Sequence, residues 1–599
     1  MCLALAGGCA AQTDAADKRA SVSNDIAAAS VLAEPGDGSY TADIRLSAGE
    51  ADIQGTGAAL SDGELRITQS GCYRLAGELD GCVTVDCSGE VELVLCGLRI
   101  RGGGWAIYAK SCKALTLTLT EDFGQSYLSQ TSTAEENGVC LESKAPLTIR
   151  GSGLLTLQAA GVGLRGAGAV RLEGGALTVN AGGAGIKAKS GGSIAVSGGS
   201  LTVRSGDDAL KAPYVAISGG TVSLEAEGRG VDAGEFALTD GTLSVSSGSD
   251  GIRTETLASV SGGSAAIEAG RDGIQSEGDV EISGGTLSVL CAGGGGNALQ
   301  CFDSGGVGGP GWGSSSGEEY YVLPDYSCKA VKADGGIRLL GGALDLSSAD
   351  DAVHAAGAIE IADVYLTICS SDDAVHSDTD LTIDSGTILI SDCFEGLEAG
   401  TITINGGDID IYSVNDGINA SSKTDSGGFG WGSSAVFTMN GGEVDIFVTG
   451  SSSNMGDGVD SNGAIYINGG RITAGTDGST MENGIDSGSS FVVTGGILAA
   501  SGNAGMQESA STYSTQCAAV LELMSGVQAG TECVVTDEDG NVVMTYTPYR
   551  WCTCIVLSHP DFQIGRTYTL TAGSQTKTFT FTSVSYSERG FGGFGGPSF

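Results

Sequence analysis

Along most of the chain, apolar and polar side chains alternate over four to six residues, break at a glycine pair and resume, as in SLTVRS (200–205), TVSLEA (221–226) and TLSVSS (242–247). Alternation with period two over so short a run predicts a β-strand buried on one face. Glycine pairs stand at 174/175, 198/199, 219/220, 262/263, 284/285, 341/342, 406/407, 441/442, 469/470 and 495/496, and Asp240-Gly241 and Ser385-Gly386 fill two gaps in degenerate form. Steps of 24, 21 and 22 residues, as from 174 to 198, 198 to 219 and 262 to 284, define the period. That period excludes a propeller blade, which takes about 40 residues, and the LxxLxLxxN signature of leucine-rich repeats is missing. One coil of a parallel β-helix fits, with coils stacked about 4.8 Å apart and Ile, Leu and Val pointing inward. The predicted fold class is therefore all-β, a parallel β-helix solenoid.

Each coil also carries a polar-polar-Gly/Ala-Ile/Leu/Val step. The residue before the small one forms a column of seventeen positions from Trp105 to Ala504, counting Asn137 and Asn297. The residue after the aliphatic one forms a second column from Tyr108 to Gln507, counting Cys140 and Gln300. Both flank an inward side chain and are expected to face solvent as two polar stripes. SADDAVH (348–354) lies one coil before SSDDAVH (370–376), so Asp350 meets Asp372 and Asp351 meets Asp373. Two carboxylates about 4.8 Å apart repel by roughly 1 kcal/mol in water and about 3.5 kcal/mol at an effective dielectric of 20. A hard dication relieves that repulsion, and the flexible oxygen coordination of calcium suits a ladder better than octahedral magnesium. The candidate ligands are Asp350, Asp351, Asp372 and Asp373, followed by Asp250 with Asp272, Asp207 with Asp208, and Asp457 and Asp460 with Asp486. The alternative is a solvated acidic face that keeps a rod soluble.

The second stripe is basic toward its N-terminal half, with Arg165, Lys187, Lys211 and Arg253, while Arg229 interrupts the first column. These cations either pair with Asp207, Asp208, Asp232 and Asp250 across coils, worth about 0–1 kcal/mol each, or hold sugar carboxylates. Lys332, His354 and His376 continue the stripe as candidate ligand-binding residues. Two similar insertions, GGPGWGSSSG (308–317) and GGFGWGSS (427–434), present Trp312 and Trp431, which either stack on a sugar ring or fold back over the rod.

Composition narrows the classes. Of 599 residues 101 are Gly, which disfavours helix. A net charge of -43, from 29 basic and 72 acidic residues, repels nucleic acid and anionic membranes and leaves cations or neutral surfaces as partners. The three histidines show no HExxH or CxxC…HxxxH spacing, which argues against a zinc enzyme. The 17 cysteines, odd in number and without CxxC pairs, are expected mostly as core fillers, with bridges from Cys291 to Cys301 or from Cys533 to Cys552 or Cys554 left open.

The opening MCLALAGGCAAQ resembles the end of a bacterial lipoprotein signal, with Cys9 carrying the lipid, so residues 1–40 are expected to be a signal remnant and tether. That anchor would be the chain's one membrane contact. A β-helix is expected over 41–510, with an N-terminal cap at 41–100, a small C-terminal β domain at 517–587 and a Gly/Phe-rich tail at 588–599. Within the C-terminal part, VVTDEDGNVVMTYTP and GRTYTLTAGSQTKTFTF each predict a hairpin. A monomer is expected.

GCYRLAGELDG (71–81), AIYAK (106–110), APLTIRGSGLLTLQA (145–159), the DDAVH and DGI steps, and SHPDFQIGRTYTL (558–570) together resemble one family across about 41–587. It is the clostridial surface proteins termed carbohydrate-binding domain-containing proteins, which are similar to family nine pectate lyases. The resemblance implies a right-handed helix, calcium bound by stacked aspartates, and affinity for cellulose or an acidic plant polysaccharide such as polygalacturonate. Asp350, Asp351, Asp372 and Asp373 match its acidic step best, whereas the coils at Val162 and Ala184 lack the acidic residue. The similar lyases add a Lys or Arg that removes a proton beside a uronate carboxylate, a place Lys211 or Lys332 would take. A lysine among carboxylates has its pKa raised, so a lyase ranks second. A structural rod or adhesin without a sugar ligand ranks third.

Overall fold

The computed structural model describes residues 40–588 except 48, 135–137, 190, 299–323, 423–432, 451–455, 480–481 and 506. The described residues contain no α-helix and form a parallel β-solenoid of about 18 turns. Strands after the glycine corner stack in register, so that Leu155, Leu177, Leu201, Val222 and Leu243 form one inward column. Ile194, Val215, Phe236, Ala258 and Val280 form a second column before the corner. The Gly/Ala-Ile/Leu/Val steps supply the third, with Ile252, Ile274, Val331, Val353 and Val375 on successive coils. These side chains are buried, each burial stabilising by about 1.5–3 kcal/mol for the larger aliphatics.

The corner explains the glycine pair. Its second member turns with positive φ, 75° at Gly199 and 78° at Gly220, and the degenerate corners keep it, with 88° at Gly241 and 116° at Gly386. A Cβ on the first member, Gly198, would lie 2.7 Å from the carbonyl oxygen of Glu173 on the preceding coil. Where the corner reads NGG, side chains make a ladder of their own: Asn440 Nδ2 donates to Asn405 Oδ1 at 2.8 Å and Asn468 Nδ2 to Asn440 Oδ1 at 3.0 Å.

Two rungs differ from the expected register. Ile274 pairs with Val331, so the step at Asn297 is part of an insertion and not a coil. Tyr108 pairs with Glu142, two residues beyond the expected Cys140, and Cys140 is a buried filler whose thiol burial pushes up to about 12.

At the N-terminal end Ala42–Ser47 pairs antiparallel with Glu50–Gly55 and parallel with Gly71–Asp80. At the other end Ile497–Gly502 pairs antiparallel with Cys552–Ser558. Both expected hairpins are present, Cys533–Thr536 with Val542–Tyr546 and Thr567–Ala572 with Gln575–Thr580, in one four-stranded antiparallel sheet. A separate apolar cluster that includes Phe562, Tyr568, Phe579 and Phe581 backs it. The open pairing of Cys533 with Cys552 or Cys554 does not form, since none of the three is in a disulfide, nor is Cys291.

Candidate cation-binding seam

The first polar column does not face solvent. Asp208, Asp250, Asp272, Asp351 and Asp373 are buried, Asp272 and Asp351 being only 2% and 3% exposed. They sit in the bend before each short strand, where strand alternation does not apply. There the carboxylate accepts the backbone N–H of the column residue one coil on. Arg229 donates to Asp208 at 3.1 Å, Lys329 to Asp272 at 2.8 Å, Asp373 to Asp351 at 3.3 Å and Asp457 to Asp416 at 2.6 Å. A hydrogen bond to a charged group contributes about 1.5–3 kcal/mol. Asp207 stands apart from this ladder and is exposed.

In the N-terminal half, fixed cations balance the column. Lys211 bridges Asp208 and Asp232, Arg229 reaches Asp250 at 3.2 Å, Arg253 pairs with Glu277, and Lys332 lies 3.7 Å from Asp272. Burial pulls the Lys211 ammonium down, but Asp232 and Asp208 outweigh it and raise its pKa. Lys187 lies in register beside Lys211. Trp105 stacks on Tyr108 at 4.4 Å and donates its Nε1 hydrogen to Glu142 at 2.8 Å.

The leading predicted metal centre holds a cation of the chain's own. Asp350, Asp351 and Asp372 do bring their oxygens within 4.8 Å of one another. Lys329 Nζ, however, sits 2.7 Å from both Asp350 Oδ1 and Asp351 Oδ2. Burial pushes Asp351 up, but Lys329 and a hydrogen bond from His354 hold its carboxyl well below the usual carboxylate range.

Beyond Asp373 the balance fails. Burial, then Asp372, Glu398 and Glu395, push Asp373 upward. Burial and Glu398 lift Glu395 to about 8 although Asn419 donates to it. Burial, Glu395, Asp460 and Asp457 raise Asp416, while burial and Asp486 lift Asp460 to about 7. Burial raises Glu508 to about 7 as well.

Asp457, Asp460 and Asp486 place one oxygen each within 4.8 Å of one another, the span of two oxygens across an ion with bonds of about 2.4 Å. Asn419, Asp460 and Asp486 are vertical neighbours. The buried oxygens Asn419 Oδ1 and Gln507 Oε1 receive no hydrogen bond. An all-oxygen donor set with unsatisfied acceptors fits a hard dication such as calcium.

A family model described as carbohydrate-binding domain-containing protein matches residues 61–235 and 214–374, together more than half of the chain. The chain belongs to that family. The carbohydrate-binding domain match ends at 374, so most of the uncompensated seam lies beyond it. No curated protein matches. Among solved structures, a polysaccharide lyase-like protein from C. thermocellum, determined as a gadolinium derivative, is 25% identical with a TM-score of 0.34, over 41% of this chain and 97% of that one.

Sequence reasoning placed Asp457, Asp460 and Asp486 together but missed Glu395, Glu398, Asp416 and Glu508 as members of the same seam. Glu395 and Asp416 stood in the first column and Glu398 in the second, so the signal was present; their burial was not. Trp312, Trp431 and Cys9 lie outside the described residues.

Proposed function

We propose that the chain is a non-catalytic, calcium-dependent polysaccharide-binding rod that works as a monomer at a bacterial cell surface. The observation that carries this is the buried acidic seam around Asp457, Asp460 and Asp486, which no described Lys or Arg neutralises. The family description supports carbohydrate as the ligand class. Arg165, Lys211, Arg229 and Arg253 are engaged in internal ion pairs, so an acidic polymer such as polygalacturonate needs bound calcium to bridge it to a chain of charge -43. Cellulose, which is neutral, needs no such bridge.

The test is co-sedimentation with insoluble pectin and with cellulose. Retention on pectin in calcium is expected, with loss in chelator and in an Asp460→Asn/Asp486→Asn variant. Retention indifferent to chelator would overturn the calcium dependence, and no retention on either polymer would overturn the binding. Lys211, held as an ammonium by Asp208 and Asp232, is a poor proton acceptor, so polygalacturonate with calcium is expected to yield no rise in ultraviolet absorbance from unsaturated uronate.

A further inference from the structure

We propose that Asp373, His376 and Glu398, at the N-terminal end of the acidic seam, form a second metal site, with ligands distinct from Asp457, Asp460 and Asp486, that takes a borderline divalent ion of the zinc class. The chain has only three histidines, and two of them, His354 and His376, stack in register on successive coils with ring centroids 4.8 Å apart. Glu398 follows His376 on the next coil. His376 Nδ1 lies 3.1 Å from Asp373 Oδ2 and 3.0 Å from Glu398 Oε2. Ligand atoms on a tetrahedral ion with bonds of about 2.0–2.1 Å stand about 3.3 Å apart. The three atoms therefore need to move only slightly to share an ion in place of a proton.

A second observation concerns the opposite ring nitrogen. His376 Nε2 faces Asp378 Oδ1 at 3.5 Å, and a carboxylate on the far nitrogen is what orients a metal-bound imidazole and raises its basicity. Asp373 itself is 7% exposed, and besides burial the carboxylates of Asp372, Glu398, Glu395 and Asp351 push its pKa upward. His376 and Glu398 keep about a fifth of their side-chain surface open, 20% and 22%, which gives an ion a way in and leaves a fourth position for water. An imidazole nitrogen among the donors selects zinc, cobalt or nickel over calcium and magnesium.

The experiment is calorimetric titration of the full chain with Zn²⁺ under saturating Ca²⁺. One site is expected, with affinity reduced at least about tenfold in His376→Gln and in Glu398→Gln and unchanged in His559→Gln and in Asp460→Asn/Asp486→Asn. The last variant separates this site from the calcium seam, so either can fail alone. Co²⁺ in place of Zn²⁺ is expected to give a visible d–d band that His376→Gln abolishes. A flat Zn²⁺ isotherm, or equal affinity in the His376 and Glu398 variants, would overturn the proposal. Should His376→Gln lose its β-sheet circular dichroism, Glu398→Gln carries the test.

Discussion

An aspartate in the bend of a coil joins two backbones and carries a charge, and the two roles have separate consequences. Asp272 accepts from the Lys329 N–H and from Ser327 Oγ at 2.6 Å. Asp272→Ala should destabilise by about 1–3 kcal/mol because it strands a buried donor, measured as a lower urea midpoint, whereas Asp207→Ala, at an exposed position, should stay within about 0.5 kcal/mol of the parent. Replacing Lys329 tests the charge role. Lys329→Gln removes the ammonium between Asp350 and Asp351 and should add a calcium site, counted by equilibrium dialysis. The column was legible in the sequence because its spacing is regular. Its burial was not, because a residue in a bend is oriented by the hydrogen bond it accepts rather than by strand alternation.

Coils are closed by glycine and joined by vertical contacts, and both constrain substitution. Gly220 turns at φ 78° and a Cβ there would stand 2.6 Å from the Gly199 carbonyl oxygen. Gly220→Ala is therefore expected to lower the melting temperature, while Ala195, an outward strand residue half-buried beside Arg171 and Ala216, should accept serine freely. The acidic seam makes the metal-free element sensitive to pH. Glu395, Asp460 and Glu508 have folded pKa values raised to about 8, 7 and 7, so the folded state binds more protons than the unfolded. The stability they contribute is complete below about pH 4 and is lost as pH rises through 7 to 8. In chelator the melting temperature should fall from pH 5 to pH 8, and calcium at pH 8 should restore it; a melting curve indifferent to both would refute a buried, uncompensated seam. The two misplaced rungs show the limit of motif matching. Within GGGGNALQ (293–300) and ENGVC (136–140) the small-aliphatic step recurs by chance in glycine-rich sequence, and only the pairing of Ile274 with Val331 and Ile107 with Leu141 reveals the true rungs.

Over the whole molecule the charge is sorted along the axis. Column carboxylates from Asp208 to Asp351 each meet a Lys or Arg, whereas among the described residues those from Asp373 onward meet none. The alternating pattern made the solenoid legible because one residue type repeats at one place in every coil. The sorting was not legible, since it depends on which cation reaches which carboxylate across coils. Calcium should accordingly protect the C-terminal half more than the N-terminal half from amide hydrogen exchange.

The 57-residue separation between Asp272 and its partner Lys329 bears on how the chain assembles. Ordinary rungs zip together after some 22 residues, as between Asp351 and Asp373, whereas closing the longer span costs about 0.8 kcal/mol more in chain entropy. A chain emerging from the ribosome would complete its self-neutralised half first and wait at this junction. The half that wants foreign ions would dock last, onto a template already built.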